Sequence, residues 1–128
     1  MVIAPKTAGL VFYVSDIGRT EKFYNETLGL RLERMEGAEP YWLQASLAGG
    51  LDLMFFEMEA TRGSSPAVVF NIEEGGIDDI VASLAENGVT IVTPVSEAPG
   101  GWSADFLDPD GFGLGLYQPE DKPRSLKR

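Results

Sequence analysis

The chain of 128 residues is predicted to be an α+β fold built from two strand–helix–three-strand (βαβββ) repeats. Three observations predict it. Residues 8–57 and 66–118 show the same order of apolar run, helical periodicity and three further short apolar runs. Matching segments recur at slowly drifting offsets: Val11-Phe12-Tyr13-Val14 with Val69-Phe70-Asn71-Ile72 at 58, Leu28-Gly29-Leu30 with Asn87-Gly88-Val89 at 59, Trp42 with Trp102 at 60. Small insertions after a duplication produce such drift. The strands fall into short segments separated by turn residues, which suits one curved, mixed, bowl- or barrel-like sheet with both helices on its outer face.

Gly9–Val14 is a short β-rich run that ends at Ser15-Asp16, two good helix-capping residues. Ile17, Thr20, Tyr24 and Leu28 then share one helical face, and Gly29 stops the helix. Strands are expected at Arg31–Met35, Tyr41–Ser46 and Leu51–Glu57, with Gly49-Gly50 turning into the last. After the loop Glu59–Ser65 the order restarts with a strand at Ala67–Ile72. Ile77, Ile80, Val81 and Leu84 give helical spacing and Gly88 ends it. Thr90–Val95, Trp102–Leu107 and Phe112–Tyr117 complete the second set. The tail 119–128 is polar, carries two prolines and is expected to be flexible.

Hydrophobic residues make up 44% of the chain and charged residues 23%, as in an ordinary soluble domain. Acidic residues outnumber basic ones by 20 to 10, and Lys122, Arg124, Lys127 and Arg128 lie in the last seven positions. The folded body is thus strongly acidic. It should repel nucleic acid and attract a cationic small molecule. With no Cys there is no disulfide, thiolate nucleophile or thiolate metal site, and with no His a Ser-His-Asp triad is impossible. The apolar start could pass for a weak signal peptide, but Ala67–Ile72 repeats it internally, so it reads as a strand. No stretch is long enough to span a membrane, and a cytoplasmic location is expected.

Tyr13-Val14-Ser15-Asp16, Phe23-Tyr24, Leu28-Gly29-Leu30 and Asp108-Pro109-Asp110-Gly111-Phe112 stand in an order and spacing that resemble the vicinal oxygen chelate superfamily. That superfamily holds glyoxalases, extradiol dioxygenases and antibiotic-binding resistance proteins. The resemblance covers nearly the whole chain and implies the repeat fold. It also implies four metal-ligand positions, which fall here at Gly9, Met54 (or Asp52 with a shift of two), Ala67 and Gly115. At least three of these have no ligating side-chain atom. The resemblance is therefore to the non-catalytic, antibiotic-binding members, with no metal and no cofactor.

Strand alternation sorts the remaining candidates. Leu10, Phe12 and Val14, the row Val68, Phe70 and Ile72, the row Leu51, Leu53 and Phe55, and Leu114 with Leu116 are uniformly apolar and should pack under the helices. The opposite rows are mixed and rich in small residues: Gly9, Val11 and Tyr13; Asp52, Met54 and Phe56; Ala67, Val69 and Asn71; Gly113, Gly115 and Tyr117. These suit a cavity wall, enlarged where Gly and Ala replace ligands. Asp52 and Glu57 fall on opposite faces of one strand and cannot act as an acid–base pair; Glu57 reads as a solvated strand end. Asp108-Pro109-Asp110-Gly111 reads as a turn, since the following residues lack the carboxylates of a calcium loop.

Trp42 and Trp102 are either core or interface packing, or a pair of walls that stack on a flat ligand. The ligand-binding set expected is Tyr13, Trp42, Asp52, Met54, Phe56, Asn71, Trp102 and Tyr117, with no catalytic residue. The function expected is binding and sequestration of an aromatic or cationic small molecule such as an antibiotic, by a homodimer. The alternative is a lyase, isomerase or dioxygenase-like enzyme using a carboxylate-only metal site at Asp52 or Asp105, or no metal.

Overall fold

In the computed structural model, which describes residues 3, 5, 7–37, 39–47, 49–59, 64, 66–107, 109 and 111–127, the first apolar run forms β1 (Ala8–Val14). Asp16 caps the helix that follows, α1 (Ile17–Lys22), its carboxylate accepting from the Arg19 N–H at 3.0 Å. The helix does not run on regularly to Leu28. It widens into a π-helical turn over Phe23–Thr27, closed by the Leu28 N–H on the Phe23 carbonyl at 3.0 Å. In this stretch the Asn25 side chain takes both backbone groups of Leu32: its Oδ1 accepts from the Leu32 N–H at 2.7 Å and its Nδ2 donates to the Leu32 carbonyl at 3.5 Å. Leu32 is then unavailable for pairing, so β2 begins late and is short (Glu33–Met35). β3 (Trp42–Leu47) and β4 (Leu51–Glu57) follow.

These elements belong to one compact unit, residues 9–66, with strand order β2-β3-β4-β1. Its core is Leu43 and Phe55, 0% and 1% exposed, with Ile17, Leu32 and Ala45; Phe12, Val14, Tyr24 and Leu53 pack around them. Phe12 and Phe55 stack at 4.8 Å, and Tyr24 lies 4.7 Å from Phe55. The apolar rows thus face α1. Glu57 is not simply a solvated end. Its Oε2 accepts from the Ile17 N–H at 2.9 Å, satisfying one of the free donors at the start of α1. Arg34 grips Glu21 with two bonds, at 2.8 and 2.9 Å, and lies 4.5 Å over the Tyr41 ring. The Arg34 guanidinium holds the Glu21 carboxyl below its usual range.

The second unit, residues 67–128 with the first eight, contains β5 (Ala67–Asn71), α2 (Ile77–Glu86), β6 (Ile91–Ala98), β7 (Gly101–Leu107) and β8 (Gly113–Pro119). Its strand order is β5-β8-β7-β6, with β5 and β8 parallel and the other neighbours antiparallel. Ile77 and Leu116, both 0% exposed, form the core with Ile72, Ala104 and Phe106; Phe70, Ile80, Val81, Leu84 and Trp102 pack against it. Asp108 and Asp110 of the turn before β8, and residues 60–63 and 65 of the loop before β5, lie outside the described residues.

The tail is not flexible as expected; it is folded onto α2. Gly76, with φ +86°, has no side chain to cap that helix. The buried Gln118 supplies the cap: its Oε1 accepts from the Ile77 N–H at 2.9 Å, while its Nε2 donates to the carbonyls of Lys122 (3.0 Å) and Pro123 (3.4 Å). The Pro123 carbonyl accepts from Gly76 N–H and the Arg124 carbonyl from Asp78 N–H. Arg124 pairs with Asp78 at 3.0 Å, and Ser125 Oγ and Leu126 N–H each donate to Asp79 at 2.8 Å. The orphan donors of α2 thus find partners far away in sequence.

The bonds from Leu126 and Ser125 hold the Asp79 carboxyl below its ordinary value of 3.8. A lowered carboxylate contributes stability fully above the unfolded value and loses it as pH falls through the folded one. Acid should therefore release the tail, and with it the Arg124 guanidinium that lies 4.3 Å over Trp102. In a Trp42→Phe background, Trp102 emission should shift to the red below pH 3.8, ahead of the loss of far-UV circular dichroism. Coincident transitions would contradict a separately titrating tail.

Candidate functional site

Alternation along the strands gives each unit a face turned away from its helix. On the first unit that face is laid out by strand register. Glu33 lies opposite Gln44, and Gln44 opposite Met54; Met35 lies opposite Trp42, and Ser46 opposite Asp52. Trp42 and Phe56 are neighbours there, stacked at 5.1 Å with an interplanar angle of 13°. Tyr13 alternates with the core residues Phe12 and Val14 and so belongs to the same face; it is 47% exposed. Five expected ligand-binding residues, Tyr13, Trp42, Asp52, Met54 and Phe56, are therefore carried on one face of one unit.

The sequence reading missed the residues of a neighbouring cavity. Arg31, Glu33, Met35, Gln44 and Ser46, with Leu30, Ala45 and Leu47, line a cavity of 310 Å³ at the β2–β3 side, and none of the five expected residues is among them. This is at the small end of the range for small-molecule pockets. The signal that would have found them is the alternation Trp42-Gln44-Ser46, read as carefully as that of β4. The face is apolar at Met35, Trp42, Met54 and Phe56, and polar at Glu33, Gln44, Ser46 and Asp52.

The second unit treats its three expected residues differently. Asn71 and Tyr117 are neighbours in the β5–β8 pairing, on the face opposite Phe70 and Leu116. Their polar tips are engaged within the chain: Asn71 Nδ2 donates to Thr7 Oγ1 at 2.7 Å, and Tyr117 OH donates to the Pro99 carbonyl at 2.7 Å. Burial pushes the Tyr117 phenol above its usual range. Trp102 is on the other side. It pairs with Gln118, shares a face with Ala104 and Phe106, and packs against the core under Arg124. Trp42 instead alternates with the core residues Leu43 and Ala45. The two tryptophans are thus not equivalent: the core residues Leu43 and Ala45 match Ala104 and Phe106 at an offset of 61, one more than the 60 that paired the tryptophans, and a slip of one residue reverses a side chain's face. The reading of Trp102 as a ligand wall gives way to packing.

The family model described as the Glyoxalase/Bleomycin resistance protein/Dioxygenase superfamily matches residues 7–116. The chain belongs to this superfamily. Among solved structures, a glyoxalase/bleomycin resistance protein/dioxygenase superfamily member from Vibrio splendidus 12B01 is similar at 17% identity and a TM-score of 0.59, over 88% of this chain and 97% of that one. Methylmalonyl-CoA epimerase from Mycobacterium tuberculosis is similar at 16% identity and a TM-score of 0.60, over 93% of each chain. A chain described as an NAD-dependent benzaldehyde dehydrogenase from Legionella pneumophila gives 20% identity and a TM-score of 0.68, over 88% and 98%. At such identities the likeness is one of fold. No curated protein matches significantly.

Metal-using members of the superfamily need donors at four positions, and the residues here do not fit that centre. Gly9, Ala67 and Gly115 have no donor atom, and Met54 offers only a thioether. The space is also differently filled from the enlarged cavity expected. A Cβ on Gly9 would overlap Met54 Cε, so the methionine already occupies that place. A Cβ on Gly115 would come within 3.2 Å of Asp105 Oδ1 and of Val69 Cγ2. Among the described residues no cluster of three His, Cys, Asp or Glu side chains could hold a metal ion. Nor is any described helix long and apolar enough to cross a membrane.

Proposed function

We propose that the chain is a metal-independent binding member of its superfamily, which sequesters a planar aromatic small molecule on the helix-free face of its first unit. The observation that carries the reading is the Trp42–Phe56 stack at 5.1 Å, on the same face as Met35, Met54, Gln44, Glu33 and Asp52. Stacked rings and thioethers give flat, adaptable apolar contact; the carboxylates and amide favour a ligand with donors or positive charge. The net charge of −10 would draw such a cation to the protein. Cationic aromatic antibiotics meet this description, and sequestering one in the cytoplasm would protect the host. A homodimer belongs to the same proposal, since pairing would cover strand edges such as the three-residue β2.

Equilibrium dialysis against proflavine, a planar aromatic cation, tests the reading. Proflavine should bind at one site per chain, equally well with and without EDTA, and more weakly as salt rises. No binding at micromolar concentration, or binding that EDTA abolishes, would defeat it. An enzymatic second reading is favoured by Asp105, whose carboxylate lies over the vacated Gly115 position. Activity of an enzyme in the chemistry of the similar epimerases would require Asp105, and Asp105→Asn would abolish it.

A further inference from the structure

The Trp42 indole N–H is sealed from solvent and has no hydrogen-bond partner, the only side-chain nitrogen or oxygen among the described residues in that state. A buried donor left without an acceptor is a standing cost, since unfolding or opening would return it to water. It is placed on the face already read as the binding site, its ring stacked on Phe56 and its register partner the flexible Met35. A planar ligand that merely stacked there would leave the donor unpaired. One that brought an acceptor would remove the cost as well as gain the bond.

Resting on that binding reading, we infer that Trp42 selects its ligand by hydrogen bonding as well as by stacking: the compound is a planar aromatic carrying a carbonyl-type acceptor in the ring plane, which reaches the Trp42 Nε1–H when the Met35 side chain moves aside. Methionine suits this movable role, because its unbranched thioether repacks at low cost. The discrimination expected is that of one hydrogen bond to a buried donor. Glu33, Gln44 and Asp52 would contact other edges of the same molecule.

The test uses 9-fluorenone and fluorene, two flat neutral tricyclic aromatics that differ at one position, a carbonyl in the first and a methylene in the second, so that charge plays no part. The chain has only two tryptophans, so a ¹⁵N-labelled sample gives two indole N–H signals, and Trp42→Phe assigns them. Fluorenone should bind about tenfold more tightly than fluorene. Its addition should move the Trp42 indole proton downfield while the Trp102 proton stays. In Trp42→Phe, which keeps a stacking ring and loses the donor, both compounds should bind with equal affinity. Equal binding of the two compounds to the native protein, or fluorenone binding without movement of the Trp42 proton, would overturn the inference and leave the binding reading standing. If neither compound binds while proflavine does, the inference falls and the binding reading stands; if none of the three binds, both fall. Should Trp42→Phe fail to fold, the native protein's affinity ratio and indole shift decide alone.

Discussion

Replacing Gln118 by leucine should destabilise the protein by about 2–5 kcal/mol, since each buried group left unpaired costs about 1–3 kcal/mol. Gln118 is 0% exposed, and its amide joins β8, on which it lies, to α2 through Ile77 N–H and to the tail through the carbonyls of Lys122 and Pro123. Leucine is similar in volume, so no cavity forms and the loss is one of hydrogen bonds. The urea midpoint should fall, and the tail should detach, leaving Trp102 without Arg124 over its ring. A change within the scatter of ordinary surface substitutions would show that the tail and helix end find water or other partners instead. Glu57, which serves the same purpose for α1 through a single bond to Ile17 from an exposed position, should matter less.

Phe55→Ala should cost about 3–5 kcal/mol, the usual range for truncating a buried aromatic. Phe55 is 1% exposed and lies between Phe12 and Tyr24, with ring centroids 4.8 and 4.7 Å away. Its removal would empty the centre of the first unit's core. Phe56→Ala, one residue on, should cost clearly less stability, because that ring stacks on Trp42 on the helix-free face. Chemical denaturation of the two variants checks the strand's facing directly. The reverse order of stabilities would mean that β4 is turned over, and the site assigned to that face would go with it.

The two core faces were legible in the sequence because strand alternation and helical spacing are local signals. Phe12, Phe55, Phe70 and Leu116 lie where that pattern puts them. The short β2 was not legible, since it depends on Asn25 reaching the backbone of Leu32 across a loop. The docked tail was hidden for a similar reason. Its polar composition reads as flexible, and only the tertiary placement of Gln118 near a capless glycine shows what those residues hold. Trp102 illustrates a different failure. Matching it to Trp42 by offset ignored that alternation, not distance along the chain, decides which face a strand residue occupies. That Gly9, Ala67 and Gly115 carry no donor atom follows from residue type alone. That Met54 and Asp105 take up the space does not, because side-chain reach is set by packing.

Under the proposed binding role, Trp42 and not Trp102 meets the ligand. Proflavine titrations of Trp42→Ala and Trp102→Phe, each verified as folded by circular dichroism, test it most directly. Trp102→Phe should retain native affinity and native quenching of the remaining tryptophan. Trp42→Ala should lose about 1–3 kcal/mol of affinity, the range typical of stacking on an aromatic side chain, and the emission that remains, from Trp102, should not respond. Native affinity in Trp42→Ala, or loss of binding in folded Trp102→Phe, would contradict the account.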